Sequence, residues 1–314
     1  MISINTEEVV KIQKKYAADL KRQKVKALGG LRAIDTDDVD ERDYLNSIIN
    51  IFRCTRKDII TLKIDELEVL KERVGEFTLG KEFKNKILKA LGYSDLRSSF
   101  YPKYFNDIGI KACVYCNSQL TIVARKNEKG ELSAKFQVDH YIPKDKYPFL
   151  SISLFNLYPS CASCNVVKRV KEVNFSLYKT HPKGKVISSD FKFSLEPNIV
   201  SEYLLHKNKE DIEISFEEPE VEDGFKTFED TFHIQGIYNT QKDLVEELIV
   251  KSQMYNEKYI DTLQSSFSSL KLNPSLFKRT IVGNYTEDKD IHKRPMSKFT
   301  MDIARQLGLI DKIK

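Results

Sequence analysis

Three pieces of one stretch decide how this chain reads: Cys113-Val-Tyr-Cys116, Val138-Asp139-His140-Tyr-Ile-Pro143, and Asn156-Leu-Tyr-Pro-Ser-Cys161-Ala-Ser-Cys164-Asn165-Val-Val-Lys168-Arg169. The first and last each hold a C-x-x-C pair. A tight turn lets the two thiolates of such a pair reach one ion, and two pairs complete a tetrahedral shell. Four thiolates leave no position open for water, so the ion expected here is a structural zinc. The same residues would also suit an iron–sulfur cluster or two redox dithiols. Disulfides are disfavoured in a chain with no export signal. Its start, Met1-Ile-Ser-Ile-Asn5-Thr-Glu-Glu8, lacks a basic segment followed by an apolar one. The fifth cysteine, Cys54, lies in an apolar helical pattern with Ile48, Ile49, Ile51 and Phe52, and is expected as a buried structural thiol.

Between the cysteine pairs the apolar pattern has period two. Leu120, Ile122 and Ala124 alternate with Thr121, Val123 and Arg125, Asn127 to Gly130 offers a turn, and Leu132, Ala134, Phe136 and Val138 continue the alternation. This predicts a β-hairpin, a loop over 157–163, and a helix starting at Cys164 and running to about 171. The chain before it, 1–110, reads as all-α. Asn5 caps a long helix ended by Gly29-Gly30, and further helices are expected over 42–52, 65–74, 81–91 and 95–105. After about 186 come strand-like pieces at 191–195, 212–216 and 232–237, a long helix over 240–267, and a last helix over 298–307. The organisation expected is 1–110, 111–185 and 186–314.

With 314 residues, 41% of them hydrophobic, the chain can bury a core in each part. It has no run of about eighteen apolar residues, so no membrane span is expected. A soluble, cytoplasmic protein is expected. The net charge of +5 is unevenly spread. From Lys111 to Asp190, thirteen Lys and Arg face six Asp and Glu; from His206 to Asp230, ten acids face three bases. A basic segment suits a polyanion such as DNA, since phosphate contacts release counterions; a solvated basic face gives the same composition. The first helix carries Lys11, Lys14, Lys15, Lys21, Arg22, Lys24 and Lys26 with one acid, Asp19, among them, which reads as a DNA-facing strip, a solvated face or a surface for docking a partner.

His140 has the side chain to take a proton from water near neutral pH. Asp139 beside it is a hard oxygen donor suited to Mg²⁺. Adjacent strand residues point to opposite faces, so the two can share a site only if the strand breaks there, as Ile142-Pro143 suggests. Asn165 follows a zinc ligand; its amide oxygen could bind a metal or simply cap the helix. Lys168 lies three residues on, on the same helical face. Asn156 can hold backbone groups of the loop that carries His140.

These pieces together resemble the HNH endonucleases, the ββα-metal superfamily, in their four-cysteine zinc form. That pattern runs C-x-x-C, D-H-x-x-P, then N-L-x-x-x-C-x-x-C-N-x-x-K, and residues 111 to about 175 match it in order. The resemblance implies an α+β protein: a ββα-metal (HNH) core with a four-cysteine zinc site, flanked by an N-terminal all-α region and a C-terminal α+β region. It implies His140 as the base that activates water, Asp139 and Asn165 as ligands of one catalytic Mg²⁺ (or Mn²⁺), and Asn156 as the residue orienting the His140 loop. Cys113, Cys116, Cys161 and Cys164 become the structural Zn²⁺ shell, and Lys144, Lys168 and Arg169 the phosphate contacts. The activity implied is DNA phosphodiester hydrolysis, leaving 5′-phosphate ends. Phe232 to Asn239 and His292-Lys293-Arg294-Pro295-Met-Ser297-Lys298 resemble segments of HNH proteins from bacterial anti-phage defence, Septu-like and retron-associated, which act beside an ATPase. His292, Arg294 and Lys298 then serve either DNA or a partner, or pack the last helix. An RNA-cleaving HNH nuclease and a non-catalytic zinc-knuckle binding module are the alternatives.

Overall fold

The helical pattern of the first hundred residues is carried by side chains spaced to bury one face, and the structure, a computed structural model, builds six helices from it. It describes residues 1–54, 58–128, 130–181, 187–221 and 226–313. A short strand β1 (Ile4–Asn5) leads into α1 (Thr6–Lys15), α2 (Ala17–Arg32), α3 (Val39–Arg53), α4 (Ile64–Val74), α5 (Lys81–Ala90) and α6 (Tyr93–Ile108). Asn5 caps α1 by accepting from the Glu7 amide at 3.0 Å. The single long first helix expected is in fact two. It breaks at Tyr16, whose ring meets Phe100 edge-on at 5.2 Å and whose hydroxyl donates to Asp107.

The Gly29-Gly30 pair does not end α2, which runs on to Arg32. A Cβ on Gly30 would stand 2.6 Å from the Ala90 carbonyl oxygen, whereas one on Gly29 would meet nothing within 4 Å. Gly30 is there so that α2 can lie against the end of α5. Gly30→Ala should therefore lower stability by about 1–3 kcal/mol through overpacking, while Gly29→Ala should raise it by up to about 1 kcal/mol. Thermal melts of the two variants shifting the same way would refute the close approach.

Cys54 corrects another expectation: it is exposed, at the C-terminal end of α3. Ile48, Ile51 and Phe52 take the buried positions of that helix, and its apolar face has ended before residue 54.

In the middle of the chain β2 (Ile122–Arg125) and β3 (Leu132–Lys135) form the expected antiparallel hairpin, with Val123 opposite Ala134. Lys129 of its turn lies outside the described residues. The second strand does not run on to 138. The chain bends at Phe136, which is buried against Phe105 with ring centroids 5.7 Å apart, and restarts as β4 (Gln137–His140). Its partner is β5 (Leu157–Ser160), antiparallel, with Asp139 opposite Tyr158 and His140 opposite Leu157. The loop expected at 157–163 is thus a strand running into a helix. All four residues of β5 are buried, so it shows no alternation to read. The helix α7 (Ala162–Lys168) follows at once, two residues earlier than expected, and packs on β4. Strand β6 (Tyr178–Lys179) then pairs in parallel with β1.

The last part folds around β7 (Lys192–Leu195) and β8 (Ile214–Glu217), antiparallel, with α8 (Ile199–His206) between them in sequence. The acidic segment after β8 is described only up to residue 221. The strand expected at 232–237 is instead two short helices, α9 (Phe228–Phe232) and α10 (Ile234–Asn239), hinged at His233 with φ 51°. The long helix expected at 240–267 is also two, α11 (Lys242–Met254) and α12 (Glu257–Ser266), because Asn256 caps the second one. Then come α13 (Pro274–Val282) and α14 (Ser297–Gln306). α14 clips onto β7: Asp302 accepts from the Phe193 amide at 2.9 Å and Gln306 brackets Leu195. Buried apolar side chains from all three segments form one cluster. Among the described residues no helix is long and apolar enough to cross a membrane.

Candidate metal centre and active site

The two C-x-x-C pairs meet. Cys113 and Cys116 lie on a turn closed by the Asn117 amide, which donates to the Cys113 carbonyl at 2.9 Å. Cys161 caps α7, and Cys164 sits in its first turn. The four Sγ atoms are buried and lie within 4.8 Å of one another. Cys116 and Cys161 are 3.9 Å apart, too far for a disulfide of about 2.05 Å. That spacing matches the edge of a tetrahedron with Zn–S near 2.3 Å, about 3.8 Å.

Donors point at the sulfurs: the Cys161 amide at Cys113 (3.3 Å), the Cys164 amide at Cys161 (3.5 Å), and the Ser118 hydroxyl at Cys116 (3.2 Å). Burial pushes the Cys113 thiol up, while hydrogen bonding from Cys113 pulls Cys116 and Cys161 down and pushes Cys164 up. A soft dication would offset part of the charge that four thiolates bring together. The residues present fit a metal such as zinc.

What grips this centre from outside was only partly legible in the sequence. Asn117, at φ 52°, is clasped by the segment before α14. Its carbonyl accepts from the Met296 backbone N–H at 2.7 Å, its side-chain Nδ2 donates to the Ile291 carbonyl at 3.1 Å, and its side-chain oxygen accepts from the Lys298 backbone N–H at 3.0 Å. Tyr238 donates to the Cys116 carbonyl at 2.8 Å. Of the three basic residues, His292 and Lys298 take the packing role, while Arg294 is exposed. His292 is buried against the Ile2 carbonyl, Arg294 lies over the Tyr285 ring, and Lys298 is buried on Asp302 at 2.6 Å.

His140 closes β4. Its Nε2 is 3.0 Å from the Ser151 carbonyl oxygen. A carbonyl only accepts, so Nε2 carries the proton and Nδ1 the lone pair. The ring of Tyr93, at the start of α6, lies across it with centroids 5.2 Å apart, and the Lys144 ammonium stands over Tyr93 at 5.8 Å. The residue is 3% exposed. Burial, then the Lys144 charge, lowers its pKa to about 3, so the ring is neutral.

Burial lowers the pKa of His292 to about 3 as well. Unfolded, both would titrate near 6.5. Between those values the unfolded chain binds more protons, so stability falls as pH falls, by about 1.4 kcal/mol per unit for each imidazole. Melts taken from pH 7.5 down to 4.5 should show this slope, and His292→Gln should flatten it; an unchanged slope would contradict the burial.

Asp139 stands elsewhere than expected. The strand continues through His140, so the two side chains leave on opposite faces. The Asp139 carboxylate is buried, its Oδ2 accepting from the Tyr115 hydroxyl at 2.5 Å and lying 2.9 Å from the Lys168 ammonium. An oxygen shared with a buried ammonium does not fit as a ligand of Mg²⁺. Lys168 is fully buried and also donates to the His140 carbonyl at 3.0 Å, so it reaches no substrate in this arrangement. Helical spacing held that signal: Lys168 is four residues after the buried Cys164, on an inward face that needs an acid.

Asn156 is buried and holds the loop after His140. It accepts from the Ile142 amide at 2.7 Å and donates to the Ile142 and Leu150 carbonyls. Asn165 is half-buried within α7 and is not its cap, a place taken by Cys161. Arg169 is exposed just past α7, and Lys144 is half-buried by Tyr93.

Fold and site together define a mixed α+β protein with a buried four-cysteine centre able to hold a metal such as zinc. No family model and no solved structure matches the chain. Over 53 residues it is 42% identical to the Septu protein PtuB of Bacillus thuringiensis, a stretch covering 17% of this chain and 17% of that protein.

Proposed function

We propose that the chain is a metal-dependent HNH-type endonuclease that hydrolyses DNA phosphodiester bonds as an effector of anti-phage defence. The observation that carries this is the setting of His140: it ends a strand whose antiparallel partner runs straight into the helix bearing Cys164, with Asn156 fixing the loop between. The partial similarity to PtuB supports the defence setting. A cytoplasmic location, and a partner such as a defence-system ATPase, belong to the same proposal.

In this reading His140 Nδ1 takes the proton of the attacking water while Nε2–H stays on Ser151, which fixes the ring's orientation. A base with a pKa near 3 is poorly matched to neutral pH. Admitting substrate requires Tyr93 to leave the ring, and the same movement hydrates the imidazole and raises its pKa. In the same reading Arg169, which is exposed, and Lys144, beside Tyr93, are the cations that meet phosphate once the site is open. A hard divalent cation such as Mg²⁺ or Mn²⁺ supplies charge neutralisation at the scissile phosphate when bound. The Oδ2 of Asp139, held by Tyr115 and Lys168, does not fit it, and the Asn165 amide by itself is not a cation site.

The burial of His140 and the inward turn of Asp139 favour a second reading, a non-catalytic zinc-knuckle module that binds nucleic acid or protein. One experiment separates them. Zinc-replete protein is incubated with supercoiled plasmid and with single-stranded RNA, in Mg²⁺ and in EDTA. Plasmid cleavage with 5′-phosphate ends, stopped by EDTA, is the expected result. Cleavage of RNA alone would replace the substrate, and no cleavage of either would leave the binding module.

A further inference from the structure

We propose that Asp139 is the joint through which the four-cysteine centre sets the main-chain position of His140, with Tyr115 and Lys168 as its two positioning residues, and is not a ligand of the catalytic cation. This rests on the nuclease reading above. Both groups that hold Asp139 come from the cysteine knuckles. Tyr115 lies between Cys113 and Cys116, fully buried, its ring stacked on Phe232 at 4.8 Å. Lys168 lies one turn past Cys164 on the same face of α7. Their polar atoms converge on a single carboxylate oxygen, at 2.5 and 2.9 Å.

Lys168 then passes the constraint on, because its ammonium also holds the His140 carbonyl at 3.0 Å. The chain of contacts runs from metal knuckle to Tyr115, to Asp139, to Lys168, to the backbone of His140. Every member is buried, so water does little to screen the ion pair. A divalent cation at the same oxygen would have to share it with an ammonium, two positive charges in one buried site. The geometry therefore assigns the Oδ2 of Asp139 to the ammonium, and the strand alternation that turns the side chain away from His140 agrees.

The test uses full-length, zinc-loaded protein and three variants: Tyr115→Phe, Lys168→Met and Asp139→Asn. Each should lower kcat for plasmid cleavage by about 10–100-fold, since a misplacement of about 1 Å at a reacting group can cost about 10²-fold. The Mg²⁺ concentration giving half-maximal cleavage should stay at the wild-type value. Asp139→Asn combined with Lys168→Met should be no worse than Asp139→Asn alone, because the two act as one unit. A raised Mg²⁺ requirement in Asp139→Asn but not in Lys168→Met, or its rescue by Mn²⁺, would overturn the proposal.

Tyr115→Phe keeps the ring and its stacking, so it should fold even where the others do not. Histidine-labelled protein gives a readout independent of cleavage. The His140 ring signal, identified by its loss in His140→Ala, should shift in Tyr115→Phe while those of His206 and His233 stay. An unmoved His140 signal overturns the joint. If wild-type protein cleaves nothing, the nuclease reading fails, yet the His140 signal still decides whether the coupling exists.

Discussion

Stripping the metal from the four-cysteine centre is expected to unfold the middle of the chain, and with it the clasp around α14. The four sulfurs face one another in the interior. Without an ion they leave four buried thiols facing one another with no metal bond to hold the two turns together. Around them hang Asn117, held by Ile291, Met296 and Lys298, and Tyr238, held by the Cys116 carbonyl. Loosening the knuckle releases both. Apparent binding energies of structural zinc are about 10–16 kcal/mol, as large as the whole stability of a domain at about 5–15 kcal/mol. Metal analysis should find about one zinc per chain, as a four-cysteine site holds one ion. Cys161→Ser should lose it, along with cooperative melting and native circular dichroism. Metal-free protein that melts where the loaded protein does would show that the centre does not hold the fold together.

How legible was this in the sequence? The cysteine centre was readable because each C-x-x-C is local: its two ligands are placed by one turn, and only the meeting of the turns is long-range. The helices α3 to α6 were readable because their buried faces repeat at helical spacing. Strand β5 was not, since burial of all its residues erases the alternation that marks a strand. The bend at Phe136 was hidden because the period-two pattern runs straight through it, and only the ring of Phe105 on a distant helix stops the strand. Gly29-Gly30 reads as a helix end, and it takes the neighbouring Ala90 carbonyl to reveal a packing contact. Around the site, the grip of Asn156 on the His140 loop follows from the amide's two-sided chemistry. The shielding of His140 by Tyr93 and the clasp of Asn117 by Lys298 join residues far apart in the chain, and no local pattern encodes either. The Asp139-His140 pair shows the limit of a motif: it names two residues, while the strand's own geometry decides that they face apart.

Replacing His140 by alanine is expected to have the largest effect on activity of any single change. The imidazole is neutral in this structure, fixed by Ser151, and has a nitrogen lone pair in reserve. General-base catalysis by such a group contributes about 10²–10⁴-fold, so the variant should lose that much of kcat. Its zinc should stay, because His140 touches none of the four cysteines. His140→Gln controls for the hole left beside Tyr93: it should be as inactive as the alanine variant while melting closer to wild type. The most direct measurement is single-turnover cleavage of a labelled DNA duplex, at saturating Mg²⁺, by wild-type and His140→Ala protein of equal zinc content. Cut strands from the wild type, with the variant at least about a hundredfold slower, is the expected result; equal rates from the two proteins would contradict it.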